Sequence, residues 1–143
     1  MITKLNLNPE KIIKTNNGDI LHIIKKDSLG YKGFGEAYFS KISSGKIKAW
    51  KRHKEMTLNI VVPVGKIQFA TVQSDEFGNS EFKSIILSEE NYFRLTIPPM
   101  TWFGFKGLGR EDSMLINIAD IPHDPAEAES KKHDEIKFKW EVN

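Results

Sequence analysis

The chain reads as an all-β fold, a sandwich, jelly roll or barrel, and three observations carry that expectation. Short segments rich in β-branched and aromatic residues recur from residue 20 onward, each bounded by Gly, Pro, Asn, Asp or Ser. Their apolar positions alternate or form short unbroken runs, with hardly any helical period. Of 143 residues, 39% are hydrophobic and 28% charged, which suits one globular unit able to bury its own core.

Residues 1–19 hold two turn signals, Asn8-Pro9 and Asn16-Asn17-Gly18, and read as an extended N-terminal arm with a short strand near Lys11–Lys14. Residues 20–143 read as a single domain. Its expected strands are Ile20–Ile24, Gly33–Ile42, Lys46–Lys51, Thr57–Val64, Ile67–Gln73, Phe82–Leu87, Tyr92–Ile97, Thr101–Phe105, Met114–Ile121 and Ile136–Trp140. Ser43-Ser44-Gly45, Val64-Gly65-Lys66 and the stretch from Ser74 to Ser80 supply turns between them. Only Asp124–Glu129 predicts helix, a turn or two, with Asp124 as cap, Pro125 at the first helical position and acids facing the helix dipole.

Composition removes several function classes. Without cysteine the chain has no disulfide, thiolate nucleophile or cysteine-type zinc site. No apolar run approaches the roughly 20 residues of a membrane helix, and Met1–Glu10 lacks a signal-peptide core, so a cytoplasmic protein with no membrane partner is expected. A net charge of +2 is too small to hold nucleic acid by bulk electrostatics; an anionic partner should be small.

The stretch Gly45–Gly65 concentrates the chemistry. Lys48, Lys51, Arg52 and His53 lie on a β alternation directly before the most apolar strand, so cationic charge and an imidazole sit beside the core. Such a cluster lines an anion pocket, or else supplies surface charge that keeps an edge strand from aggregating.

The spacing Gly45, Lys51, His53, Thr57 or Leu58, Gly65 resembles the first cupin motif, and Pro98-Pro99-Met100-Thr101-Trp102-Phe103 resembles the second. Three of the four metal-ligand places hold Lys51, Thr57 or Leu58, and Phe103. His53 alone cannot hold a first-row metal, so a cupin-type jelly roll with no metal and no cofactor is expected. Among metal-free cupins the chain resembles the dTDP-4-dehydrorhamnose 3,5-epimerase family and its 3,4-ketoisomerase cousins. Ile47–His53 is similar to the family's V-x-R-G-x-H, and Leu95–Phe105 to its W-I-P-x-G-x-x-H-G-F. Leu115–Pro125 with Ile136–Trp140 resembles its last strand, proline turn and I-x-x-W. The likeness spans Gly33 to Trp140. It departs in three places: the histidine of R-G-x-H falls on Lys51, the catalytic tyrosine's strand offers only Asn117, Asp120 and Ile121, and the late aspartate that supports the base has its place beyond residue 143.

Moving a proton next to a ketone needs a base, a group that stabilises the enolate oxygen and an acid. His53 is the candidate base, since imidazole changes charge near neutrality. Lys51, two residues earlier on the same face, can polarise the keto oxygen. Tyr38 and Tyr92 are loosely placed candidates for the acid. Lys48, Arg52 and Arg94 are candidates for a diphosphate; Trp102, with Trp50 and Phe103, for stacking on a base or sugar, or for plain core packing. Asn59 can orient ligand hydroxyls, and Asn117, an amide amid Leu115, Ile116 and Ile118, must find partners and can face the pocket. The resemblance thus implies a cofactor-free epimerase or isomerase of a nucleotide-linked 4-keto-6-deoxy sugar, serving surface polysaccharide synthesis, with a nucleotide-diphosphate sugar as partner. A homodimer is expected, because jelly rolls commonly pair edges or exchange an N-terminal arm. A second reading is a nucleotide-sugar-binding cupin that has lost the tyrosine and aspartate; a third is a metal cupin of dioxygenase type.

Overall fold

The run Leu58-Asn59-Ile60-Val61-Val62 is buried throughout, on both faces, because its strand is central and its sheet is covered from both sides. A computed structural model describes residues 4–142. Its strands are β1 (Asn6–Pro9), β2 (Ile12–Ile13), β3 (Ile20–Leu21), β4 (Glu36–Ile42), β5 (Ile47–His53), β6 (Leu58–Val64), β7 (Lys66–Ser74), β8 (Ser80–Ser88), β9 (Phe93–Ile97), β10 (Trp102–Gly107), β11 (Ser113–Ala119) and β12 (Ala128–Ser130).

Two five-stranded antiparallel sheets, in the orders β1-β9-β6-β11-β4 and β12-β5-β10-β7-β8, face each other, and β2 and β3 form a separate ribbon. Between the sheets, Leu58, Ile60 and Val62, Leu95 and Ile97, and Leu115 and Ala119 meet Ile67 and Phe69, Ile85 and Leu87, and Phe103 and Phe105. Each such large side chain is worth about 1.5–3 kcal/mol of burial. The jelly-roll expectation therefore holds. Between β6 and β7 the chain turns at Gly65, with φ +80°, where a Cβ would stand 2.2 Å from Ser113 Oγ.

Two local expectations need correction. Ile136–Trp140 is irregular rather than a strand. It crosses the outer face of the second sheet, where Ile136, Phe138 and Trp140 cover Trp50, Ala70 and Val72. Side chains tie it down in place of a ladder: Trp50 Nε1 donates to the His133 carbonyl (3.1 Å), and the Glu141 amide donates to Gln68 Oε1 (2.8 Å). The helix expected over Asp124–Glu129 is a single 3₁₀ turn, Pro125–Glu127, capped by Asp124 Oδ1 accepting from the Ala126 amide (3.0 Å). It stops there because Ala128–Ser130 pairs with β5. Among the described residues, no helix is long and apolar enough to cross a membrane.

Candidate active site

β5 carries the cluster that the sequence singles out, and its neighbours decide which side chains face inward. Against β10 its register shifts between Phe103 and Gly104, with Phe103 opposite Lys51 and Gly104 opposite Ala49. Gly104 permits that approach, since a Cβ there would stand 2.5 Å from Ala49 Cβ. Lys51 and His53 both line a pocket of 330 Å³ between β4 of the first sheet and β5 and β10 of the second. Tyr38, Lys48, Phe103, Phe105, Ser130 and Lys131 line it too.

His53 is buried, and its Nδ1 meets Glu127 Oε1 in a short hydrogen bond. Glu127 is buried as well, and its Oε2 accepts from the backbone amides of Glu55 (3.0 Å) and Met56 (3.1 Å). Burial pushes the Glu127 pKa up, but the bonds from His53, Glu55 and Met56 outweigh it and hold the carboxyl below its ordinary range. An ionised carboxylate only accepts, so His53 Nδ1 carries a proton, and in the neutral ring the lone pair is then on Nε2. Phe103 stacks on the imidazole, with ring centroids 6.1 Å apart and planes 20° apart. The ring is thus fixed in plane and tautomer.

Sequence reasoning missed Glu127, reading it as a first-turn acid. A separation of 74 positions from His53 hides the contact, and no local pattern marks it. It stands against His53, in the place behind the base that the resemblance above gives to a late aspartate.

Tyr38 stands on β4, half-exposed, and Asn117 Nδ2 donates to its hydroxyl oxygen (3.1 Å). Asn117 is buried, and its Oδ1 accepts from the Asn59 amide (3.2 Å). Lys48 Nζ reaches from β5 to the Lys41 carbonyl of β4 (2.8 Å) beside the pocket. Lys51, half-buried, has no ion-pair partner among the described residues.

Other expected site residues lie elsewhere. Arg94, 1% exposed, is on the outer face of the first sheet, bonded to Glu10 Oε2 (3.1 Å), Asn59 Oδ1 (2.5 Å), Thr96 Oγ1 (3.0 Å) and the Leu29 carbonyl (2.8 Å). Asn59 belongs to the same network and donates to the Gly30 carbonyl (3.1 Å). These two hold a loop onto a sheet rather than facing the pocket. Arg52 pairs with Glu129, and its guanidinium lies 4.7 Å from the centre of the Trp102 ring. Trp102 packs with the outer aromatic cluster, outside the pocket lining. Tyr92 donates to the His22 carbonyl (2.7 Å), and burial, with Glu10 and Glu89 nearby, pushes its phenol up to about 12. A wider cleft of 670 Å³ beside the β7–β8 turn is lined by charged residues such as Lys54, Asp75, Glu81 and Lys83, but has no imidazole or phenol in its lining. Among the described residues, no group of three or more His, Cys, Asp or Glu side chains is placed to hold a metal ion.

No family model matches the sequence. A probable low-salt glycan biosynthesis epimerase of Haloferax volcanii is 31% identical over 104 residues, which span 70% of this chain and 67% of that protein. The crystal structure of a dTDP sugar isomerase from Desulfovibrio desulfuricans G20 is 34% identical, with a TM-score of 0.88 over 93% of this chain and 87% of that one. The chain belongs to the RmlC-like cupin family of dTDP-sugar epimerases and isomerases. The dTDP-4-dehydrorhamnose 3,5-epimerase of Sulfolobus tokodaii, 22% identical, shares the fold with a TM-score of 0.81 over 94% of this chain and 80% of that one. Within this family the present chain combines a lysine two residues before its pocket histidine, a phenylalanine stacked on that histidine and a glutamate behind it.

Proposed function

We propose that the protein is an epimerase or isomerase of a nucleotide-linked 4-keto-6-deoxy sugar, acting by proton abstraction next to the ketone. The buried His53–Glu127 pair in the wall of a pocket carries this reading. His53 Nε2 takes the proton from the carbon beside the ketone, and Glu127 holds the ring and stabilises the imidazolium that forms. Lys51 stabilises the enolate oxygen; a preorganised charge of this kind is worth roughly 3–4 kcal/mol. Lys48 and Lys131, with Lys51, are the cations available to a diphosphate at this pocket, since Arg94 and Arg52 already have carboxylate partners.

The names of the relatives support the substrate class, one being a dTDP sugar isomerase and another an epimerase of glycan biosynthesis. A role in surface polysaccharide synthesis is supported by the glycan biosynthesis epimerase, and we place that role in the cytoplasm. Exposed Leu7, Leu29, Phe34 and Phe39 on the first-sheet side support a homodimer. A binding protein without chemistry is the weaker alternative, because the carboxylate it was expected to lack is present as Glu127.

The test is deuterium incorporation from heavy water into TDP-4-keto-6-deoxyglucose, read by NMR. Exchange by the wild type that drops at least about 100-fold in His53→Ala is expected. A wild type that exchanges neither that sugar nor other dTDP-linked 4-keto sugars would falsify the reading.

A further inference from the structure

Resting on the reading of His53 as base, we infer that Asp120 is a positioning residue for the reaction, fixing the segment 54–57 that in turn holds Glu127 against His53. These four residues leave β5 in the second sheet and enter β6 in the first, so they cross between the sheets directly after the base. All four of their amides are taken by two acidic residues from distant parts of the chain. The Lys54 amide donates to the Glu127 carbonyl (2.9 Å), those of Glu55 and Met56 to Glu127 Oε2 (3.0 and 3.1 Å), and that of Thr57 to Asp120 Oδ1 (2.8 Å). Two of the three donors on the Glu127 carboxylate therefore belong to a crossing whose far end rests on Asp120.

Asp120 is itself fixed. It follows β11, and its own amide donates back to the Thr57 carbonyl (3.4 Å), so the two residues exchange hydrogen bonds and carry the β6–β11 ladder one step beyond Ala119 and Leu58. On its other flank the Gly35 amide donates to the Ala119 carbonyl (2.7 Å), and a Cβ at Gly35 would stand 2.2 Å from the Ile121 carbonyl carbon. Asp120 does not line the pocket that holds Lys51 and His53, so it acts on the geometry of the base and not on the sugar. Without its carboxylate the Thr57 amide must find another acceptor. Glu55 and Met56 then shift on Glu127, and the carboxylate moves relative to Nδ1. Displacing a reacting group by about 1 Å costs on the order of 100-fold in rate, so a fraction of that shift is enough to be read in kcat.

Asp120→Ala removes the acceptor, whereas Asp120→Asn keeps an oxygen at Oδ1. Two readouts are taken: deuterium exchange into TDP-4-keto-6-deoxyglucose, and the proton NMR signal of His53 Nδ1–H, which a short bond to a carboxylate moves far downfield and which needs no substrate. In Asp120→Ala, kcat for exchange should fall about 10-fold with KM within about 2-fold of wild type, and the Nδ1–H signal should broaden or move upfield. Asp120→Asn should restore the signal and most of the rate. Wild-type kcat and signal in Asp120→Ala, a change in KM alone, or an Asp120→Asn variant as impaired as the alanine one would each overturn the inference. If Asp120→Ala does not fold, amide hydrogen exchange in the wild type decides. The Glu55, Met56 and Thr57 amides should then exchange at one common rate, as a single opening unit, and protection at Glu55 and Met56 with free exchange at Thr57 would overturn it. A wild type that exchanges no dTDP-linked 4-keto sugar, while its His53 signal still follows Asp120, removes the proposed reaction and leaves the positioning of the imidazole standing.

Discussion

At the scale of single residues, the pairing of His53 with Glu127 bears on both the proposed chemistry and acid stability. Three donors hold the carboxylate ionised, and it in turn orients the imidazole. Glu127→Gln keeps the shape but presents an amide that can donate to Nδ1, so the lone pair needed at Nε2 is lost for part of the population. Turnover should fall about 100-fold or more, with KM for the sugar nucleotide little changed, as measured by steady-state kinetics. The same carboxylate sets a pH dependence. Its pKa is lowered in the folded state, so the unfolded chain binds the proton more readily. Its contribution to stability is fully present above the unfolded carboxylate value, about 4.3, and is lost as pH falls through the lower folded value. Melting temperatures of the wild type should drop across that acid window. Glu127→Gln should start lower at neutral pH and show a shallower acid decline.

At the scale of elements, the β9–β10 turn bears directly on the site. Met100 adopts φ 63°, the left-handed region, and its amide donates to the His53 carbonyl (2.7 Å). In the pattern I-P-x-G that Ile97-Pro98-Pro99-Met100 resembles, this is the glycine's place. A non-glycine residue there costs about 1–2 kcal/mol, whereas glycine costs about 0.5–1 kcal/mol in lost chain entropy. Met100 is half-exposed, so little packing offsets the difference. Met100→Gly should stabilise the protein by about 0.5–1 kcal/mol, raising the melting temperature by roughly 1–4 °C in calorimetry. An unchanged or lower value would mean that Met100 packing outweighs its backbone cost. The C-terminal segment teaches the complementary lesson: its alternating apolar residues read as a strand, but a chain crossing a sheet face has no ladder to join, and its aromatics cover Trp50 instead.

At the scale of the whole molecule, the Glu10–Arg94 pair fastens the chain N-terminal to β4 onto the first sheet. Arg94 links the residue after β1, the carbonyl of Leu29 and two side chains of the central strands. Arg94→Met should cost about 3–5 kcal/mol, because it leaves Glu10 in place without its charge partner. In urea unfolding, adding Glu10→Gln to that variant should recover part of the loss. By itself the sequence determined the all-β class, most strand positions and the pocket residues of one strand, because alternation and turn chemistry are local signals. His53 and Lys51 were legible for that reason. Tertiary structure alone decided which charged and polar residues face the pocket. Arg94 and Asn59 had the right types for a ligand but lie on the outer face; Glu127, read as a first-turn helix acid, is folded against His53 from 74 residues away. Side-chain type shows what a residue can bind. Only the packing of the two sheets and the short strand after Glu127 sets which partner is within reach.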